Sequence, residues 1–172
     1  MADMDKPISM AGTRTFVCDF KKALTTNPAP TFTELELLDV MEKGDIENQV
    51  DTYRPFNNTK VYKYMSSQDY ATVILKGAKV PASSSRSAFE TSAARNMTDW
   101  TKSRTYKDLI KCVPVGTGTY ECTIYSGFFK KANLDDVEQK KISYGIWEFE
   151  VTEYKEASGS ISGSTLTLTA RS

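Results

Sequence analysis

The sequence predicts a mainly β protein with one flanking α-helix, arranged as a β-sandwich or partly closed barrel with a long projecting loop. Three observations predict this class. A strand pattern at 71–80, a helix pattern at 87–101 and paired strand patterns at 106–130 follow one another. Most other apolar residues alternate with polar ones, which is the period of a half-buried strand. The 172 residues fit a single domain, 1–172, and a chain of this size buries roughly 68–70% of its unfolded surface.

The chain begins with two predicted strands. The first spans 13–20, where apolar side chains at every second residue share one face: Phe16, Cys18 and Phe20. The second spans 31–41, whose apolar residues lie among acidic ones. Its period is mixed, but the flanking prolines and Gly44 favour a strand over a helix.

Residues 42–60 are predicted to form a projecting loop or hairpin. The segment is polar, charged and rich in turn residues, including Pro55 and two successive asparagines. A segment packed into the core would carry more apolar side chains. Strand character returns at 60–65 and again at 71–80.

A helix is predicted at 87–101. Ser87 and Glu90 have the spacing of a capping box, in which the serine hydroxyl accepts from the backbone near the glutamate and the glutamate reaches back. Four apolar residues then form one stripe: Phe89, Ala93, Met97 and Trp100. Such a stripe predicts packing against a sheet rather than a cofactor site. The opposite, polar face includes Arg95, Thr98 and Asp99.

Strands at 106–115 and 119–129 are predicted to form a hairpin across a Gly-Thr-Gly turn. One face of its second arm carries Tyr120, Cys122, Ile124 and Phe128. Pro114 cannot donate to a ladder, so the end of the first arm is predicted to lie at an edge. A further strand at 142–154 has an apolar face with Trp147, Phe149 and Val151, and a polar face with Glu148, Glu150 and Thr152.

The last part of the chain is predicted to contain a flexible linker and a C-terminal strand. The linker spans 157–164 and consists mostly of glycine and serine. The strand spans 165–169. It either folds back as an edge strand or adds to the sheet of a neighbouring molecule.

The sequence lacks the residues that most catalytic and metal sites need. It contains no histidine, which excludes His-based triads, His-ligated metals and imidazole proton shuttles. Cys18, Cys112 and Cys122 match no zinc motif and are predicted to be small buried hydrophobes, with a Cys112–Cys122 disulfide as the alternative. No catalytic, cofactor-binding or metal-ligating residue is predicted, and the chain is not expected to be an enzyme.

Opposite charges cancel over the whole chain but are sorted along it. There are 22 basic and 22 acidic residues, so net charge draws the chain neither to nucleic acid nor to a membrane. Seven acidic residues and one basic residue lie between positions 34 and 51, whereas five basic residues and one acidic residue lie between 54 and 79. The N-terminus lacks the apolar core of a signal peptide, which predicts a protein made in a cytoplasm.

Surfaces sorted by sign favour head-to-tail association of identical subunits, which builds rings or helical filaments. The alternative is that the charged blocks are solvated faces paired within the monomer. In the first interpretation, an acidic arm at 42–51 meets a basic region of a neighbour. The candidate contact residues are Glu42, Asp45, Glu47, Asp51, Arg54, Lys60, Arg95 and Arg104.

In the order and size of its elements, the chain resembles the tail tube (major tail) proteins of bacteriophages. In that family a β-sandwich carries one flanking helix between strands, and a long early loop or hairpin reaches a neighbouring subunit. Here 42–60 would be the reaching segment, 87–102 the helix, and 106–129 and 142–154 the following strands. The resemblance covers 13–155 and rests on element order.

The resemblance implies a structural virion protein, without a cofactor, that self-assembles into hexameric rings stacked into a tail tube. Its partners would be further copies of itself and other tail proteins, with no membrane. Assembly would take place in the host cytoplasm, and DNA would only pass through a β-lined lumen. An acidic or neutral lumen face, such as one bearing Glu148 and Glu150, would suit passage because it does not bind phosphates.

The sequence also permits other interpretations. A viral coat or decoration protein would likewise be an assembling β protein. A monomeric β barrel would bind a small ligand in a pocket lined by Trp147, Phe149 and Phe128. The bases and aromatics that alternate at 60–64 could contact single-stranded nucleic acid, although an edge strand carries the same alternation to prevent sheet-to-sheet pairing.

Overall fold

The computed structural model describes residues 12–35, 38–42, 46–57, 59–70, 72–78, 93–134 and 144–171. Within these ranges lie ten strands and one helix. They are β1 (Arg14–Asp19), β2 (Thr33–Glu34), β3 (Leu38–Glu42), β4 (Ile46–Tyr53), β5 (Tyr62–Tyr70), β6 (Val73–Ala78), α1 (Ala93–Ser103), β7 (Tyr106–Gly116), β8 (Thr119–Leu134), β9 (Tyr144–Ser162) and β10 (Thr165–Ala170).

Eight of these strands form one antiparallel sheet, which curls into a half-barrel. Seven follow the order β2-β1-β7-β8-β9-β6-β3, and β10 pairs with the second half of β9. Strands β4 and β5 form a separate two-stranded sheet. The predicted class, mainly β with one flanking helix and a partly closed barrel, is confirmed.

The curled sheet buries apolar side chains on both faces, because neighbouring residues of a strand point to opposite sides. Helix α1 covers the first core, which contains Val17, Leu35, Val73, Leu75, Ala94, Met97, Leu109, Tyr125, Phe129, Trp147, Phe149 and Val151. The second core contains Phe16, Cys18, Ala23, Ile110, Cys112, Cys122, Ile124, Ala157 and Leu166. Of the predicted period-two face at 13–20, Phe16 and Cys18 pack in the second core, whereas Phe20 follows β1 and is only half-buried.

A β-bulge in β9 lets this strand serve both cores. Ser126 pairs with Glu153 and Gly127 pairs with Val151, so Thr152 is an extra residue. The Thr152 hydroxyl donates to the Ser126 carbonyl oxygen at 2.9 Å. An extra residue reverses which side chains face inward. Before the bulge, Trp147, Phe149 and Val151 enter the first core, and after it Ala157 enters the second.

The prediction of a flexible linker at 157–164 was wrong, because β9 continues to Ser162 and a tight turn leads directly into β10. The small residues there meet a packing requirement. Ala157 is fully buried, and a Cβ at Gly159 would lie 2.5 Å from the Cys122 sulfur. The terminal strand folds back on β9 as an edge strand, which is the first of its two predicted alternatives.

The prediction of one strand at 31–41 was also wrong. β2 pairs with β1, whereas β3 pairs with β6 at the other end of the sheet. The Arg14 guanidinium holds β2 through hydrogen bonds of 2.7 and 2.6 Å to the Glu34 carboxylate. The mixed apolar period of this segment reflects a change of partner strand.

The apolar stripe of the helix is confirmed in its described part. Met97 is buried, and the Trp100 ring lies 5.7 Å from the Phe129 ring. Placing Thr98 on the polar face was wrong, because its hydroxyl oxygen accepts a 3.2 Å hydrogen bond from the indole nitrogen of Trp147. The capping box and Phe89 lie outside the described residues. No helix within the described ranges is long and apolar enough to cross a membrane.

The hairpin after the helix has the predicted partners. β7 and β8 pair across a turn at 117–118, in which Gly118 has a φ of 70°. The pairing of β7 with β1 ends at Cys112, so Pro114 lies beyond the end of its neighbouring strand, as predicted.

Candidate subunit interface

Strands β4 and β5 form a hairpin that stands apart from the main sheet. Its first strand and tip lie in the predicted excursion at 42–60, and its second strand extends to Tyr70. The described side chains at 47–54 and 60–69 are exposed. At the root, the half-buried Tyr70 ring stacks on Tyr154 with ring centroids 6.3 Å apart. The hairpin is therefore joined to the body at its base and solvated along its arms.

Large apolar side chains are exposed along the hairpin. Phe56, at the tip, is 102% exposed and so packs against no described part of the chain. Six further large apolar side chains of the hairpin are exposed, namely Val50, Tyr53, Val61, Tyr62, Tyr64 and Met65. Of these, Tyr53 and Tyr62 are cross-strand partners and therefore neighbours on one face. Neighbouring exposed apolar side chains of this kind are typical of an interaction site in soluble proteins.

The register of the hairpin sorts its side chains into two faces. Glu47 pairs with Asp69, Asp51 with Tyr64, and Tyr53 with Tyr62. These pairs share one face because cross-strand partners point the same way. We call this the acidic-tyrosine face. It carries Glu47, Asp51, Tyr53, Tyr62, Tyr64 and Asp69, together with Gln49 and Ser67. The opposite face carries Asn48, Val50, Thr52, Lys63, Met65 and Gln68.

The acidic-tyrosine face concentrates negative charge. Glu47 and Asp69 are direct cross-strand neighbours, an arrangement of like charges that destabilises an isolated hairpin. The Gln49 side-chain amide donates to Asp69 at 2.7 Å and satisfies one oxygen without adding charge. A cationic surface on another molecule would relieve this repulsion.

The other predicted contact residues lie at separate places. Arg54 and Lys60 flank the hairpin tip, so the tip is basic while the face behind it is acidic. Glu42 ends β3, and Asp45 lies outside the described residues.

The two predicted contact residues of the helix region lie away from the hairpin in the chain. Arg95 lies in the first turn of α1 and pairs with Asp99 at 3.2 Å. Arg104 follows the helix and has a φ of 55°.

A second surface feature was not predicted from the sequence. The rings of Phe20, Tyr106 and Phe128 form a row, with centroids 5.1 Å apart for the first pair and 5.3 Å for the second. We call these three residues the aromatic patch. Tyr106 is 51% exposed, and the other two rings are half-buried. The Lys21 ammonium lies 5.4 Å from the Phe20 ring centroid and pairs with Glu153 at 3.3 Å.

A buried carboxylate positions one side of this patch. Asp108 is 2% exposed and accepts hydrogen bonds from the backbone amides of Lys21 (3.0 Å) and Ala23 (3.3 Å). The Ser126 hydroxyl donates to the same carboxylate at 2.7 Å. These bonds fix the turn after β1, in which Lys21 has a positive φ of 56°. This turn holds Phe20 against Tyr106.

The cysteines are packing residues, as predicted. All three are free and buried, and the Cys112 and Cys122 sulfurs lie 3.1 Å apart as cross-strand partners. Burial, together with the nearby Asp108 carboxylate, raises the pKa of Cys18 to about 12. Such a thiol is not a nucleophile at neutral pH. No group of side chains suited to a metal ion occurs among the described residues.

The interpretation as a small-ligand barrel is contradicted by the position of its proposed lining residues. Trp147 and Phe149 are completely buried in the first core, and Phe128 belongs to the aromatic patch. A different surface depression, a groove of about 490 Å³, lies beside β10 and is lined by Leu24, Tyr154, Lys155, Glu156, Ala170 and Arg171. In this groove Glu156 already accepts from the Tyr154 hydroxyl at 2.8 Å.

The polar face of β9 is neutral rather than acidic. Glu150 pairs with Lys130 at 2.8 Å, and Glu148 lies 3.8 Å from Lys131. Both glutamates remain partly exposed, so each ion pair lies at the surface. The two charges of each pair largely cancel at a distance.

No protein-family model matches this sequence, and no curated protein matches it. Its fold is shared with chains in solved structures. One belongs to the cryo-EM structure of an extracellular contractile injection system, the PVC sheath/tube terminator in the extended state. It has a TM-score of 0.59 and 13% identity over 89% of this chain and 98% of that chain. Another belongs to the anti-feeding prophage (AFP) baseplate, 6-fold symmetrised, with a TM-score of 0.58 and 8% identity over 89% of this chain and 97% of that chain.

Proposed function

We propose that this protein is a structural subunit of a phage-tail-like particle, self-assembling into hexameric rings that stack into a tail tube. The observation that carries the proposal is the shared fold, which extends over nearly the full length of both compared chains. The names of those structures describe a sheath/tube terminator and a 6-fold symmetrised baseplate, which supports a ring-forming role in a tail. The resemblance in element order to tail tube proteins supports the tube.

The hairpin supplies the contact that such a ring requires. A closed ring needs a heterologous interface, in which one surface of a subunit meets a different surface of its neighbour. The exposed arms and tip at 47–69 form a surface that the body of the same chain does not cover. Phe56 would act as an apolar anchor at the end of this arm.

In this proposal the protein is not an enzyme, needs no cofactor and belongs to the virion. It would assemble in the host cytoplasm with other tail proteins, and DNA would only pass through the lumen. The ion-paired glutamates of β9 support passage without binding, because a charge-balanced face neither attracts nor retains phosphates.

The Phe56→Ser variant tests the proposal, with sedimentation velocity as the readout. Phe56 is fully exposed and packs against no residue that the structure describes, so its replacement should leave the free energy of unfolding unchanged within about 0.5 kcal/mol. Loss of a buried aromatic anchor should weaken assembly by roughly tenfold or more. Val115→Ser is the matched control, since Val115 is an exposed apolar residue at the far end of β7. Unchanged assembly of Phe56→Ser would contradict the hairpin contact.

A further inference from the structure

We propose that Cys112 and Cys122 form an oxidation site, at which a hydroperoxide converts the two thiols of the folded chain into one intramolecular disulfide. The inference goes beyond the proposed function and does not depend on it. The two residues are direct cross-strand partners of β7 and β8, and their sulfurs lie 3.1 Å apart. Both are free thiols in this structure.

The hydrogen bonds of β1 show which kind of cross-strand pair the two cysteines form. The Leu35 amide donates to the Thr15 carbonyl at 2.8 Å, so the backbone of Thr15 points to the β2 side of β1. The backbone of the preceding residue, Arg14, therefore points to β7, where Arg14 pairs with Cys112. Because the backbone of Cys112 faces β1, its pair with Cys122 is a non-hydrogen-bonded pair. In such pairs the Cα atoms lie about 4.5 Å apart and the side chains are closest.

This geometry fits a disulfide between Cys112 and Cys122 and no other pairing of the three cysteines. Disulfides join residues whose Cα atoms lie about 4.4–6.8 Å apart and whose side chains face each other. Both residues of the pair point to the second core. Cys18 lies in the same core, but it pairs with Asp108, four positions before Cys112 in β7. Four residues of a strand span roughly 13 Å, which is beyond the reach of a disulfide.

The contact between the two sulfurs makes Cys122 the nucleophile of the pair. Their hydrogen bond lowers the pKa of Cys122 and raises the pKa of Cys112, because the thiol of one residue stabilises the thiolate of the other. The thiolate is the form of cysteine that attacks a peroxide. Cys122 therefore reacts first, and Cys112 completes the disulfide.

The oxidation takes place in two steps. The Cys122 thiolate attacks one oxygen of hydrogen peroxide, the O–O bond breaks, and the departing hydroxide takes up the proton that Cys122 lost and leaves as water. The Cys112 sulfur then attacks the sulfur of the resulting sulfenic acid, which forms the S–S bond, breaks the S–O bond and releases a second water. The two thiols together lose two hydrogen atoms, and one hydrogen peroxide molecule is reduced to two water molecules.

The edge strand β10 covers the pair and gives the oxidant its route. Both cysteines are buried, so an oxidant reaches them only when the surrounding chain opens locally. A Cβ at Gly159 would lie 2.5 Å from the Cys122 sulfur and 3.3 Å from the Leu168 side chain, so this sulfur lies close to β10. Within the described residues β10 pairs with β9 alone. A strand held on one side opens more readily than a central strand, and a peroxide is small enough to enter then.

Peptide mapping of the full-length chain tests this inference. The protein is reduced, freed of reductant and treated with hydrogen peroxide while folded. It is then unfolded in iodoacetamide and digested with trypsin. Both cysteines leave in one peptide, 112–130, because trypsin cleaves after Lys111 and Lys130, whereas Cys18 leaves in the peptide 15–21.

We expect the peptide 112–130 to carry no label and to be lighter by two hydrogen atoms, and the peptide 15–21 to be labelled. Dithiothreitol added before the iodoacetamide should restore two labels on 112–130. Two labels after peroxide treatment alone, sulfinic or sulfonic acids in place of the disulfide, or a disulfide to Cys18 would each overturn the inference.

Two alanine variants form the matched control. Cys18→Ala retains the pair and should be oxidised like the wild type, whereas Cys122→Ala removes the nucleophile and should leave Cys112 labelled. Oxidation should also lower the equilibrium constant for urea unfolding of the wild type and of Cys18→Ala by about tenfold or more, because the disulfide restricts the unfolded chain. The same treatment of Cys122→Ala should leave that constant unchanged. An equal effect of peroxide on Cys18→Ala and Cys122→Ala would contradict the assignment of the pair.

Discussion

At the scale of single residues, two buried polar groups determine local geometry. Asp108 joins three chain segments through hydrogen bonds to Lys21, Ala23 and Ser126. Trp147 donates its indole N–H to Thr98 and so links the sheet to the helix. In both cases a buried polar atom is satisfied by a partner distant in sequence, since an unpaired one would cost about 1–3 kcal/mol.

Cys18 makes the stability of the fold sensitive to high pH. Its pKa rises from 9.0 to about 12 on folding, so between these values the unfolded chain has lost a proton that the folded chain retains. The free energy of unfolding should therefore keep the full contribution of the Cys18 thiol below pH 9. Above pH 9 it should fall, and Cys18 should account for a loss of about 1 kcal/mol per pH unit. Urea unfolding of the wild type and Cys18→Ala between pH 8 and 10.5 measures this difference. Equal pH slopes for the two proteins would contradict it.

At the scale of secondary-structure elements, α1 is attached to the sheet by apolar packing and one hydrogen bond. Met97 and Ala94 are buried against the first core, and the Trp100 ring lies on Phe129. Thr98 contributes the polar link through Trp147. The helix therefore closes one face of the half-barrel and shields Trp147 completely.

The Thr98→Val variant tests how much the hydrogen bond between Trp147 and Thr98 contributes to the free energy of unfolding. It removes the acceptor of the Trp147 indole N–H, which is fully buried, and should destabilise the protein by about 1–3 kcal/mol. Thr101→Val is the control. The Thr101 hydroxyl donates to the Met97 carbonyl of its own helix, just as the Thr98 hydroxyl donates to the Ala94 carbonyl, but it has no hydrogen bond to a described residue of the sheet. Urea unfolding gives both free energies. Equal losses in the two variants would show that the indole bond contributes nothing.

Sequence patterns predicted the strands whose environment stays constant along their length. Alternation predicted β1, β7 and the first part of β8, where the β1–β7 register and the β7–β8 register from Tyr106 to Pro114 run without a shift. The same reasoning missed the continuation of β9 through 157–162, since the bulge at Thr152 changes the inward-facing set and small residues there meet a packing need. Register shifts and close backbone approaches depend on the partner strand, which no local pattern encodes.

The candidate interface was predictable only in part. The charge pattern singled out Glu47 and Asp51, and the hairpin register places them on one exposed face. The sequence does not predict the aromatic patch, because Phe20, Tyr106 and Phe128 come from three strands or turns that only the fold brings together. Its one local signal, the alternation of Phe20 with Phe16, pointed to the core instead.

Across the chain as a whole, the half-barrel body buries its large apolar side chains within itself, and the hairpin does not. The half-barrel buries two apolar clusters, whereas the arms at 47–69 leave large apolar and acidic side chains in solvent. This division suits a subunit that folds before it assembles.

Negative-stain electron microscopy of the purified full-length protein, with two-dimensional averaging across a range of salt concentrations, tests whether the chain assembles into rings. We expect rings of uniform diameter with six-fold symmetry, alone or stacked into hollow tubes. Closed shells would support the coat-protein interpretation and contradict the tube. Uniform particles of the 19.2 kDa monomer at every concentration and salt would contradict self-assembly itself.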